Sequence, residues 1–159
     1  MTRPNGSLRR AGPADIGQLA ELWIEITRHH ASLDPLFTLR SDARPEIERL
    51  LGAQLEDPGG AIFVWATPAG LLGFCAARVD RAPPILEETR RAEITDLGVR
   101  AAERRRGIGR ELAEAALAWA DAGGVARVEV RVVMGNHEAQ AFWRGLGFDD
   151  LMDVLQRRL

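Results

Sequence analysis

The sequence predicts a mixed α/β domain, with one sheet of mixed strand direction and helices packed on it, in the order β-α-α-β-β-β-α-β-α-β. Three observations predict it. The apolar spacing changes from a helical to a strand period near Gly60 and returns to a helical one from Gly107. Turn-forming breaks separate the periodic stretches, at Asp34-Pro35, Asp57-Pro58-Gly59-Gly60, Thr67-Pro68-Ala69-Gly70 and Asp121-Ala122-Gly123-Gly124. A chain of 159 residues, 46% hydrophobic and 28% charged, suits one domain over residues 1–159 with a real core.

The elements follow in order. Ser7 to Arg10 is a short extended piece. Pro13-Ala14-Asp15 opens a helix whose Ile16, Leu19, Ala20, Trp23 and Ile26 share one face, with Asp15 near the positive end of the dipole. Pro45 starts a second helix with Ile47, Leu50, Leu51 and Leu55 inward. Ala61–Ala66 and Leu71–Val79 read as an antiparallel hairpin. Pro83 and Pro84 make the stretch from Arg81 to Thr89 a loop, and Ala92–Val99 is a third strong strand. Ile108, Leu112, Ala115 and Trp119 form one helical stripe, and Gly123-Gly124 stops it. Val125–Val133 alternates as a strand, His137–Leu146 is a short helix, and Leu151–Leu159 is expected to be a last strand.

Charge and cysteine content exclude several functions. A net charge of −2 gives no global basic field for nucleic acid or an acidic membrane surface, and no run reaches membrane-spanning length. Cys75 is the only cysteine, so there is no intrachain disulfide and no multi-cysteine metal site; its apolar surroundings make it a buried small hydrophobe. Met1-Thr2-Arg3-Pro4-Asn5-Gly6 carries no apolar stretch behind its charge, so no signal peptide is expected and the location is read as cytoplasmic.

The sharpest feature is Leu97-Gly98-Val99, a short loop, and then Arg104-Arg105-Arg106-Gly107-Ile108-Gly109-Arg110 leading into a helix. A glycine-bearing loop that feeds a helix leaves several backbone N–H groups pointing one way, and the dipole behind them favours an anion of pyrophosphate size. Glycine keeps side chains from holding the phosphate off. The arginines add charge-assisted contacts. A dinucleotide fingerprint would need a third glycine where Leu112 stands, and a Walker loop would need Gly-Lys-Ser/Thr. A helix that simply starts at a glycine turn behind a solvated arginine face also fits this segment alone. The second feature is Asn136-His137-Glu138-Ala139-Gln140-Ala141-Phe142-Trp143-Arg144-Gly145-Leu146-Gly147-Phe148. Asn136 can cap the helix, Phe142 and Leu146 are core candidates, and Gly147 is a helix stop.

Together the two segments resemble the GNAT superfamily of acetyltransferases. Arg104, Gly107 and Gly109 match its Arg/Gln-x-x-Gly-x-Gly/Ala coenzyme A loop, and the later segment matches its Asn-x-x-Ala-x-x-Phe-Tyr-x-x-x-Gly-Phe motif. Element order agrees from about Ser7 to the C-terminus. The resemblance implies a GNAT-like acyl-CoA N-acyltransferase fold, acetyl-CoA as cosubstrate, and an amine acceptor that is a small molecule or a peptide. It implies that the backbone of Leu97, Gly98 and Val99 pairs with the pantetheine arm. Amides from Arg104 through Arg105, Arg106, Gly107, Ile108 and Gly109 to Arg110 would hold the pyrophosphate. Asn136 would contact the pantetheine and Trp143 would line the thioester end. The strands before the two motifs would splay, and a homodimer is expected.

A lysine-like amine is only about one part in 10³–10⁴ neutral at pH 7, so a base must take its proton. Glu93 is the first candidate for this catalytic role, as it stands where one histone-acetylating branch keeps its base. Strict alternation would put Glu93, Thr95, Leu97 and Val99 on one face and Asp96 on the other. Asp96, Glu129 and the pair His29-His30 are its rivals; Glu87-Glu88 and Asp34 could attract a cationic amine. Trp143 occupies the position where many relatives keep a tyrosine as general acid, and the chain has no tyrosine. That departure favours one alternative to catalysis, an acyl-CoA sensor using the same cleft; a separate alternative is a nucleotide- or nucleic-acid-binding module using the arginine loop.

Overall fold

The computed structural model describes residues 4–159. Met1, Thr2 and Arg3, part of the stretch read as lacking a signal peptide, lie outside the described residues. Five strands form one sheet in the order β1 (Ser7–Arg10), β2 (Gly60–Thr67), β3 (Gly70–Arg81), β4 (Arg90–Val99), β5 (Val128–Val130). The first four are antiparallel neighbours, and β5 runs parallel to β4.

The helices are α1 (Ile16–Leu33), α2 (Arg44–Glu56), α3 (Ile108–Ala122) and α4 (His137–Arg144), with short 3-10 turns at Pro13–Asp15, Pro35–Phe37 and Ala101–Glu103. Both faces of the sheet are covered, which is why β2 and β3 are nearly continuous apolar runs. On one face Leu19, Leu22 and Ile26 of α1 and Ile47 and Leu51 of α2 bury Ile62, Val64, Phe74 and Ala76. On the other, Ile108, Leu112, Ala113 and Ala116 of α3 and Trp143 of α4 bury Phe63, Trp65, Cys75, Ala77 and Ile94. Cys75 is fully buried, and burial drives its thiol pKa far upward, in keeping with a packing role.

Asp15 does more than face a dipole. Its carboxylate accepts both Arg9 guanidinium N–H groups at 2.8 and 2.9 Å and the Gly12 N–H at 2.8 Å, tying the end of β1 to the entry of α1. Close packing of α1 on β4 depends on Gly98, where a Cβ would lie 2.4 Å from Ile26 Cγ2.

Three expectations need correction. The pairing of β3 with β4 steps from Ala76↔Asp96 to Ala77↔Ile94, so Thr95 is an extra residue in a bulge. The bulge resets the alternation: Glu93 (opposite Arg78) and Asp96 (opposite Ala76) both fall on the α1–α2 face, while Leu97 and Val99 pack on the α3 face. β5 covers only Val128–Val130, since its register with β4 ends at Ile94↔Val130; Val125 is buried against Ala92 and Ala120 without joining a strand. No strand forms over residues 151–159, where Leu151, Met152, Val154, Leu155 and Leu159 are exposed. Leu151-Met152 and Val154-Leu155 are adjacent pairs, so one sheet face could not bury both members of either.

Candidate active site

β4 continues to Val99 after its partner β5 has ended, so the two parallel strands part beyond Ile94. The Arg100 N–H donates to the Leu72 carbonyl on the β3 side at 2.8 Å. Alternation along an antiparallel ladder therefore turns the N–H and C=O groups of Leu97 and Val99 toward the opening. The Val99 carbonyl agrees with that direction, since it accepts from Arg104 Nε at 3.1 Å. An extended ligand could hydrogen-bond to this edge as a further strand would. Gly98 points the other way, toward α1, so its lack of a side chain serves helix packing.

The loop leading to α3 lies at the end of the same edge. Arg105 (φ 64°) and Gly107 (φ 85°) both occupy the left-handed region in the turn that leads into α3. Gly107 is the N-cap, and the first helical bond runs from the Glu111 N–H to the Gly107 carbonyl at 3.2 Å. The amides of Ile108, Gly109 and Arg110 therefore precede the helical ladder and are available to an anion. A Cβ on Gly109 would sit 3.6 Å from Val99 Cγ2, which places this amide against the strand end. The arginines have carboxylate partners: Arg105 has Glu138 at 3.6 Å, Arg106 has Glu103 at 3.0 Å and Arg110 has Glu114 at 3.7 Å. The exposed Arg105 and Arg110 pairs are worth about 0–1 kcal/mol each, so a phosphate could displace those carboxylates at small cost, whereas Arg106 and Glu103 are half-buried.

The second motif divides between capping and packing. The Asn136 side-chain oxygen accepts the Ala139 N–H at 3.0 Å, so Asn136 caps α4. Trp143 is 6% exposed and stacks edge-on between Phe142 and Phe148, with ring centroids 5.0 and 5.1 Å away. It is a core residue beneath α4. Phe142, which the sequence reading assigned only to the core, is the ring that stands within 4 Å of a Cβ built on Gly109.

Across β4, on the α1–α2 face, lies a cavity of about 360 Å³. Trp23, Ile47, Leu50 and Leu51 line its helix side, and Thr95 and Asp96 line its strand side. The bulge is what turns Asp96 into this cavity. Burial pushes the Asp96 carboxyl pKa up; the Thr95 hydroxyl and Trp23 indole N–H oppose that by hydrogen bonding, the charge of Glu93 adds to it, and the charge of Arg78 also opposes it. Glu93, 8% exposed, accepts from Arg78 Nη2 at 2.9 Å and stands 3.6 Å from Arg131 Nε. It does not line the cavity.

The other candidates serve elsewhere. Glu129 is ion-paired with Arg127 and Arg91 in β5. His30 packs on Phe37 at 5.5 Å, and burial and the neighbouring His29 lower its pKa; neither histidine lines the cavity. Glu88 is paired with Arg127 at 2.6 Å, and Asp34 accepts the Leu36 N–H at 2.8 Å. Among the described residues, no His/Cys/Asp/Glu group could hold a metal ion, and no helix is long and apolar enough to cross a membrane.

The same fold recurs in solved structures. A tetramutant of the BH1408 protein from Bacillus halodurans superposes with a TM-score of 0.85 at 21% identity, covering 96% of this chain and 99% of that one. An aminoglycoside acetyltransferase from an uncultured soil metagenomic sample, in complex with trehalose, gives 0.71 at 19% identity over 97% and 96% of the two chains. The aminoglycoside N-acetyltransferase AAC(6')-Iy, in complex with coenzyme A, gives 0.76 at 15% identity over 100% and 99%. At these identities the likeness is one of fold. No curated protein sequence matches the chain. The acetyltransferase (GNAT) family model matches residues 21–148, which include β4, the arginine-glycine loop and the α4 motif. With most of its length matched and its strands parted beside a glycine-bearing anion loop, the chain belongs to the GNAT acetyltransferase family.

Proposed function

We propose that this chain is one domain over residues 1–159 that moves the acetyl group of acetyl-CoA to a primary amine by direct attack on the thioester. The observation that carries this reading is the placement of two complementary sites across one strand. On one side are the open edge of Leu97 and Val99 and the amides at the start of α3; on the other is the Asp96 carboxyl in its cavity. The Arg104–Arg110 loop holds the pyrophosphate, and the β4 edge holds the pantetheine. The Asn136 amide NH2, left over from capping, reaches the same arm. Trp143 acts on the site only by supporting Phe142.

The base is a choice between two carboxyls on one face. Asp96 lines the cavity and its pKa is raised, which moves it toward that of the amine it must deprotonate. Asp96 takes one proton from the ammonium, and the freed nitrogen lone pair bonds to the acetyl carbon. The carbon–sulfur bond then breaks, and the second nitrogen proton passes through water to the departing sulfur. Glu93 is a positioning residue that holds Arg78 and Arg131. The Trp143 indole is buried and is no practical acid, which supports water in that role.

Steady-state acetyl transfer to an amine panel tests this. Asp96→Asn is expected to lower kcat by about 10²-fold or more, with KM for acetyl-CoA little changed. Glu93→Gln is expected to cost less than tenfold in kcat and to shift the pH profile. An inactive Glu93→Gln beside an active Asp96→Asn would return the base to Glu93. A chain that binds acetyl-CoA but releases no coenzyme A with any amine would favour the acyl-CoA sensor, the second reading that the absent tyrosine supports.

A further inference from the structure

We infer that the acceptor is a monoamine on an apolar carbon body, such as an arylalkyl- or alkylamine, and not a polycation or a polyhydroxylated aminosugar. The inference rests on the acetyl-transfer reading for its chemistry and on the cavity beside Asp96 for its selectivity. The helix side of that cavity presents Trp23, Ile47, Leu50, Leu51 and Ala53, and its one amide, Gln54, donates its NH2 to the Ala77 carbonyl at 3.4 Å. Leu50 is 52% exposed at the rim, an apolar side chain left uncovered on a helix whose Ile47 and Leu51 are buried. A volume of about 360 Å³ suits a small ring or short chain and its ammonium.

The charge pattern limits the number of cationic groups. Asp96 is the one carboxyl deep in the lining, and Asp57 is exposed and already accepts the Gly59 N–H at 2.8 Å. Arg78 also lines the cavity, so a second ammonium inside it would meet a guanidinium rather than a partner. Arg78 is itself occupied by Glu93 at 2.9 Å and Asp80 at 3.4 Å, which leaves it poorly placed to take the carboxylate of a free amino acid. The Gln54 amide and the Thr95 hydroxyl already donate to the Ala77 and Ala76 carbonyls, so a sugar with many hydroxyls would lose more water than it gains partners against the leucines.

Calorimetric titration of 2-phenylethylamine, spermidine, kanamycin and leucine into the full chain tests the inference without requiring turnover. We expect 2-phenylethylamine to bind at least tenfold more tightly than each of the others, and Leu50→Asp, at an exposed position, to weaken it at least fivefold. Equal or tighter binding of spermidine, kanamycin or leucine would overturn the inference, as would an unchanged affinity in Leu50→Asp. Coenzyme A release measured on the same panel separates the two claims: turnover with spermidine or kanamycin preferred sinks this inference and leaves acetyl transfer standing. Selective binding of 2-phenylethylamine without release of coenzyme A supports the pocket and sinks acetyl transfer.

Discussion

Replacing Gly98 by alanine tests how the strand that carries the site is held against α1. The added methyl would stand 2.4 Å from Ile26 Cγ2 and 3.3 Å from Ile26 Cδ1, where carbon atoms pack at about 3.5–4.0 Å. Ile26 cannot easily yield, because it is β-branched, 7% exposed and inside the core cluster under α1. Either α1 shifts by about 1 Å or Ile26 leaves its rotamer, and overpacking of that kind costs about 1–3 kcal/mol. For a chain of this length that is a fall in Tm of roughly 2–12 °C. The assay is chemical and thermal unfolding of Gly98→Ala, Ile26→Ala and the double variant. The geometry predicts that the double variant is more stable than the two single losses would sum to, because the truncated Ile26 makes room for the methyl. A Gly98→Ala chain as stable as the parent, or strict additivity in the double variant, would refute the reasoning.

Further predictions concern the sheet entry, the loop and the base. The Arg9 hydrogen bonds hold the Asp15 carboxyl pKa below its ordinary value, with the Gly12 N–H helping, so Asp15 stabilises the fold above its unfolded pKa near about 3.9 and loses that contribution as pH falls through its lower folded value. Asp15→Ala is therefore expected to lose about 1 kcal/mol at pH 7 and to narrow its deficit as the solution is acidified, read by unfolding at several pH values. Gly107→Ala forces a left-handed backbone on a residue with a Cβ, at about 1–2 kcal/mol, although the Cβ itself meets nothing within 4 Å. Its unfolding and its acetyl-CoA affinity should fall together, while Gly124→Ala, also left-handed (φ 72°) but at the far end of α3, should lose stability alone. The acid limb of kcat/KM should lie above the ordinary carboxyl range, following the raised Asp96 pKa, and Asp96→Asn should remove it.

The parts of the fold that depend on local chemistry were legible in the sequence. The residues of β1, the β2–β3 hairpin turn ending at Gly70 and the Asn136 cap lie where turn and capping rules put them. The anion loop was legible for the same reason, since Gly107 both permits the left-handed turn and opens α3. The Thr95 bulge was not, because it is decided by how β3 meets β4, a pairing of residues far apart in the chain. One unpaired residue was enough to exchange the faces of the strand and bring Asp96, rather than the α3-side residues, beside Glu93. The strand expected over Leu151–Leu159 does not form; without a pairing edge and an alternating face, its apolar residues stay exposed. The tryptophans sort by position in the sheet and helices: Trp65 and Trp143 are buried, and Trp23 and Trp119 are half-buried.

Thermal unfolding with and without acetyl-CoA, against ATP and NAD at equal concentration, tests the central claim most directly. At about a hundred times Kd, binding adds roughly 2.7 kcal/mol, a rise of about 5–10 °C for a chain of this size. The parted β4–β5 edge and the Gly107 loop predict that rise with acetyl-CoA and a smaller one, or none, with ATP and NAD. No rise with acetyl-CoA, or an equal rise with ATP, would contradict the account and leave the loop as an ordinary anion-binding helix start.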